Sequence, residues 1–181
     1  MSGLKIILFP DGILREKSNP VSEFGAETSG YIGRLKELLY SNKGCVGIAS
    51  PQVGVLKRIV IVDVTNHKKA TQKSGVLTMI NPEIIFSEGT SVNREGCLSV
   101  PDFTGNVERA ERIAVKYLDE TGAEIKLETN GFEAVVIQHE IDHLDGIIFI
   151  DRIKNIKRDL FKRVVYSTDN QKKPSRPPES T

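Results

Sequence analysis

Long apolar runs are missing from this chain of 181 residues, so no segment reads as a helix crossing a bilayer and no membrane partner is expected. The first apolar stretch, Ile6 to Phe9, is too short for a signal peptide and is cut by Pro10, which points to a soluble, cytoplasmic protein. Net charge is nearly absent as well. At +1 the chain has no global pull towards DNA, RNA or a lipid surface, and any such attraction must come from a local cluster. Cysteine is scarce: Cys45 and Cys97 could form one bridge, a poor framework for a chain of this size, so a free pair in a reducing compartment is expected. No internal repeat is visible. What is present, 39% hydrophobic and 27% charged residues, suffices for one domain with a proper core. That domain is expected over 1–166, with the Lys-, Pro- and Ser-rich tail 167–181 disordered.

Histidine is rarer still, and two of the three histidines stand together in Gln138-His139-Glu140-Ile141-Asp142-His143. Residues four apart share a helix face, so His139 and His143 can offer two imidazoles to one metal ion. Glu140, one position further round, is placed to reach a water rather than the ion. That is the arrangement of a hydrolase in which a metal acidifies water and a carboxylate moves its proton. The bland alternative is a solvated helix face or a satisfied core pair. The helix is expected over about Gly131 to Leu144, stopped by Gly146, with Phe132, Val135 and Val136 stacked on the histidine face.

A catalytic metal needs a third protein ligand. Metzincin spacing would put a histidine at position 149, where this chain has Phe149, and no histidine follows it. The better candidate is upstream, Cys97 in Glu95-Gly96-Cys97-Leu98-Ser99, whose bland alternative is a small buried hydrophobe. In Cys45-Val46-Gly47-Ile48-Ala49-Ser50-Pro51-Gln52, small residues allow close backbone approach, and Gln52 can donate its amide N–H to a developing oxyanion. The alternative there is a tight turn. His67, in the polar stretch Thr65 to Ser74, reads as a solvated loop residue.

Ile6 to Phe9, Arg58 to Val64 and Val76 to Ile80 read as strands, the last halted by Asn81-Pro82 with Ile84 to Phe86 resuming it. Arg112 to Leu118 and Ala123 to Glu128 flank Asp119-Glu120-Thr121-Gly122 as a β-hairpin. Ser29 to Ser41 carries helical spacing. A C-terminal helix is expected from Asp151 to Tyr166, on the spacing of Ile153, Ile156, Leu160 and Val164. The fold class is therefore α+β, with antiparallel sheets around a central helix that carries the two histidines.

Taken together, Gly47-Ile48-Ala49-Ser50-Pro51-Gln52, Glu95-Gly96-Cys97-Leu98-Ser99 and Gln138 to His143 resemble the motifs of the peptide deformylases in order and spacing, and Phe9-Pro10-Asp11 with Leu14-Arg15 resembles that family's start. The resemblance implies that Cys97, His139 and His143 bind a divalent metal, usually Fe(II), with Ni(II), Co(II) or Zn(II) as substitutes. Glu140 would help water attack the formyl carbon of an N-formylmethionyl nascent peptide and pass the proton to the departing amine, releasing formate. Gln52 and the Leu98 N–H would hold the oxyanion. Val46, Gly47, Phe132, Val135 and Val136 would line the methionine pocket, and Glu95 with Arg109 would brace the ligand strand. The chain departs from the family's common pattern at Cys45 and Ser50, usually Gly and Ala, and at Thr104, where some relatives carry a substrate-binding arginine.

Arg152, Lys154, Lys157, Arg158, Lys162 and Arg163 gather positive charge on the expected C-terminal helix; the bland alternative is a solvated basic face, and the resemblance adds ribosomal RNA as a candidate partner. Two other functions remain at this stage: a metallopeptidase of the HExxH type, and a catalytically silent homologue that binds peptides or ribosomes.

Overall fold

A single sequence run, Ile59-Val60-Ile61-Val62, shows how the fold is layered. Strand side chains alternate between faces. Ile59 and Ile61 point into one apolar cluster with Tyr31, Ile32, Leu35 and Leu39, while Val60 and Val62 point into another with Ala134, Ile137, Ile141 and Leu144. A strand sandwiched between two helices must be apolar on both faces, which is why this stretch shows no polar alternation.

The computed structural model describes residues 3–163. Helix α1 (Ala26–Ser41) covers one face of a sheet built from β1 (Gly47–Ala49), β2 (Ile59–Asp63), β3 (Val76–Glu88), β6 (Arg112–Leu118) and β7 (Glu124–Asn130). Helix α2 (Gly131–Leu144) covers the other face and is buried over nearly its whole circumference. The order is β1-β2-β3-β6-β7, antiparallel throughout. A second, smaller antiparallel sheet holds β4 (Ser91–Cys97), β5 (Val100–Arg109) and β8 (Leu160–Lys162) in the order β4-β5-β8. The antiparallel α+β architecture around a central helix is thus present, and the expected bounds of α2 agree with those observed.

Three expected elements take other forms. Ile6 to Phe9 joins no sheet; the Ile7 N–H donates to the Gln52 carbonyl and the Phe9 N–H to the Ser99 carbonyl, so this arm ties the two candidate loops together. Asn81-Pro82 does not halt β3. Asn81 adopts φ 52° and exchanges two 2.8 Å side-chain hydrogen bonds with the backbone of Val21, which bends the strand and shifts its register against β6.

The C-terminal helix expected over 151–166 does not form in the described part. Phe149–Arg152 is a 3-10 turn, α3 (Ile156–Asp159) is a single turn capped by the Asn155 side chain, and β8 follows. The reason is tertiary. The outer edge of β5 offers unpaired backbone groups at Phe103, Thr104 and Gly105, and Lys162, Phe161 and Leu160 pair with them. Ile153 is buried against Gly105 and Phe149, but Ile156 is 61% exposed, so the helical spacing never becomes a face. Val164 and the expected tail 167–181 lie outside the described residues.

Candidate metal and hydrolytic site

The four-residue spacing on α2 brings the rings of His139 and His143 to 5.0 Å between centroids, nearly perpendicular. Cys97, at the end of β4, meets them: its Sγ lies 3.3 Å from His143 Nε2, and one ligand atom from each of Cys97, His139 and His143 lies within 4.8 Å of the others. All three residues are buried. The His139 Nδ1–H donates to Glu95 Oε2 at 2.7 Å, which fixes the ring and leaves Nε2 to the cluster. Burial alone would raise the Cys97 thiol, but the adjacent His143 and His139 outweigh it and hold the thiol well below its ordinary value. His139 moves the other way: burial works against its proton, yet Cys97 and Glu95 hold it well above the usual range. A buried thiolate and two imidazoles fit a soft-leaning divalent transition metal.

Glu95 does more than orient His139. Burial would raise its carboxyl, but His139 and Arg109 bring it down to about 2. The Arg109 guanidinium donates to both Glu95 oxygens, at 2.8 and 3.0 Å, and to Asp142 Oδ2 at 2.5 Å. Arg152 donates to Asp142 as well, at 2.6 and 3.0 Å. The expected Glu95–Arg109 brace is therefore one part of a larger network that locks β4, β5 and α2 around the ligand set. Sequence reasoning missed Asp142, although it stands inside the histidine motif; a carboxylate between two histidines on a buried helix requires a cation, and that was the available signal.

Glu140 lies on the cleft side of the helix. One of its oxygens, Oε2, is buried with no hydrogen-bond partner among the described residues. Burial, only partly offset by His139 and His143, raises its carboxyl to about 7. A proton acceptor with that affinity suits general base work near neutrality. Across the cleft, the Gln52 side-chain oxygen accepts from the Ala49 N–H at 2.9 Å, turning the amide nitrogen towards Cys97 Sγ at 3.2 Å and Ser99 Oγ at 3.3 Å. Leu98 lines the same cleft, and its N–H donates to no backbone carbonyl of the described residues. Gln52 and Leu98 thus both line the cleft next to Cys97.

The cleft has a volume of about 360 Å³. Val46, Gly47, Phe132, Val135 and Val136 line it, as does Cys45, which places all five expected pocket residues beside the ligand cluster. The Cys45 thiol donates to the Gly47 carbonyl at 3.1 Å, and burial together with Glu140 pushes it up to about 12. His67 is not simply solvated: its ring stacks on Phe132 at 4.1 Å and helps to line the cleft. Phe149, at the metzincin ligand position, is a core residue whose ring stacks on His139 at 6.3 Å. It supports that imidazole by packing.

Residues 4–159 match the family model described as polypeptide deformylase. The chain is 44% identical over 163 residues to the peptide deformylase of Thermodesulfovibrio yellowstonii, covering 90% of this chain and 96% of that one. The crystal structure of peptide deformylase from Thermotoga maritima is similar with a TM-score of 0.78 at 39% identity, over 86% of this chain and 100% of that one. A Met-Ala-Ser-bound peptide deformylase structure from Acinetobacter baumannii is similar with a TM-score of 0.76 at 35% identity, over 84% of this chain and 99% of that one.

Proposed function

The chain belongs to the polypeptide deformylase family, enzymes that remove the N-formyl group from newly made polypeptides, and from that premise we propose that Cys97, His139, His143, Glu140, Gln52 and Leu98 perform the reaction here. The observation that carries the assignment is a cluster of three buried ligand atoms beside one cleft, which Gln52, Leu98 and Glu140 also line, with Glu140 Oε2 unpartnered among the described residues.

Cys97, His139 and His143 hold a divalent ion, with Fe(II) the ion proposed and Ni(II), Co(II) or Zn(II) able to occupy the same donor set. When bound, the ion acidifies water and polarises the formyl carbonyl. Glu140 accepts the proton of the attacking water, aided by its raised affinity, and later delivers it to the departing amine. The Gln52 amide and the Leu98 N–H donate to the formyl oxygen as negative charge develops on it. Val46, Gly47, Phe132, Val135 and Val136 hold the methionine side chain, their apolar surface suiting a thioether. The Met-Ala-Ser ligand of the Acinetobacter baumannii enzyme supports a peptide with N-terminal methionine as the product leaving this cleft.

The proposed unit is one catalytic domain over 1–166, working in the cytoplasm where formylated chains are made. No helix of the described residues is long and apolar enough to cross a membrane. The ribosome contact expected of a basic C-terminal helix loses that footing, because the helix gives way to β8. Arg152, Lys154 and Arg158 are moreover paired with Asp142, Glu108 and Asp159.

An anaerobic assay of iron-loaded protein on a formyl-Met tripeptide, measuring formate and internal cleavage together, tests the reading. Formate without internal cleavage is expected. Internal cleavage without formate would establish a metallopeptidase, and neither product a silent binding homologue.

A further inference from the structure

Among the described residues, the guanidinium groups of Arg15, Arg58, Arg109, Arg112, Arg152 and Arg158 each meet a carboxylate. Arg94 and Arg163 meet none among those residues, and both line the candidate active-site cleft, as does the exposed Lys43.

The small sheet fixes where the two guanidinium groups lie. Arg163 follows β8, and its N–H donates to the Asp102 carbonyl at 2.7 Å. Its guanidinium covers the bare face of Gly96, the residue before Cys97: a Cβ there would stand 2.5 Å from Arg163 Nη2. Arg94 is two residues before Gly96, on the same face of β4. Its Nε–H donates to Thr104 Oγ1 at 2.8 Å, and its guanidinium stacks 3.5 Å from the Phe161 ring centroid. Thr104 pairs with Gly96 on one side and with Phe161 on the other, so β4, β5 and β8 carry both groups to one rim.

Among the described residues, no carboxylate pairs with either guanidinium at that rim. The cleft's carboxylates, Glu95 and Glu140, are buried, and Glu95 is already engaged by Arg109 and His139. A guanidinium held by stacking and a hydrogen bond loses little freedom on binding, and its planar fork suits a carboxylate. We propose that Arg163 and Arg94 form a carboxylate-binding subsite that makes the enzyme favour formylated chains with acidic side chains in the two residues after formylmethionine. The proposal rests on the deformylase reading of the site.

The test uses formyl-Met-X-X-amide peptides with X as Glu, Gln or Lys, amidated so that the only free carboxylates are side chains. At low salt, kcat/KM for the Glu peptide is expected to exceed that for the Gln peptide about fivefold, the size of one partly exposed ion pair. Added salt should shrink the ratio. Arg163→Gln should bring it towards one, and Arg163→Glu should turn the preference to the Lys peptide. A structural defect would lower all three peptides alike and leave their ratios unchanged. Equal turnover of the Glu and Gln peptides by wild type, or a ratio that survives in both Arg163→Gln and Arg94→Gln, overturns the subsite while leaving the deformylase reading intact. Absence of formate from every peptide refutes that reading, and the subsite with it.

Discussion

A Cβ added to Gly47 would stand 2.4 Å from Glu140 Oε1, so the substrate loop and α2 touch at the candidate base with no room for a methyl group. Gly47 is not among the residues with positive φ, so alanine there meets the carboxylate without straining the backbone. Gly47→Ala should turn Glu140 out of place and lower kcat by about 10- to 100-fold per metal-loaded molecule, since small displacements of a reacting group cost that much. A wild-type kcat in this variant would show that Glu140 does not depend on its contact with the loop.

Glu95 and Arg109 give separable effects. Glu95→Gln keeps the shape but weakens the acceptor for the His139 Nδ1–H, and metal affinity measured by chelator competition should fall about 10- to 100-fold. Arg109→Met instead leaves Glu95 with His139 alone and Asp142 with Arg152 alone. It should cost about 3 to 5 kcal/mol in urea unfolding. Unchanged metal affinity in Glu95→Gln would mean that packing against Phe149 alone orients the ring.

Cys97→Ser replaces a ligand thiolate by a neutral hydroxyl, so metal content after dialysis should drop sharply. Oxygen gives a second check on the same donor set. The iron-loaded enzyme should lose activity in air while the nickel-loaded enzyme persists, because ferrous iron and its thiolate are oxidisable. Equal half-lives of the two forms, or a fully loaded Ser variant, would speak against Cys97 as a ligand.

Gly146 closes α2 with φ 72°, and a Cβ there would lie 2.3 Å from the Arg15 carbonyl oxygen. Both the conformation and the contact involve backbone that cannot swing aside. Gly146→Ala should destabilise the fold by about 2 kcal/mol or more, measured by chemical unfolding. A smaller loss would mean that the arm at Arg15 relaxes.

That glycine is one of the features legible in the sequence itself. Gly131 to Leu144 was legible as a helix because its apolar spacing, its histidine pair and its closing glycine all agree locally. The hairpin of β4 and β5 was not legible: Ser91–Cys97 carries Asn93, Arg94 and Glu95, polar residues whose burial or exposure depends on a neighbouring strand and on Arg109. The region after Ile150 was misread because Ile153, Ile156 and Leu160 keep helical spacing, while the open edge of β5 at Phe103 to Gly105 decides their conformation. The candidate site was legible where one motif holds several of its parts, as in His139, Glu140 and His143. Arg163 was not, because its approach to Gly96 exists only through the pairing of β8.

Glu140→Gln in iron-loaded protein tests the central claim most directly, with formate release from a formyl-Met peptide and metal content measured on the same sample. The amide fills the same space but accepts no proton, so kcat should fall by about 100- to 10,000-fold with metal content unchanged. Near-wild-type turnover at full metal loading would contradict the assignment of Glu140 as the group that moves the proton.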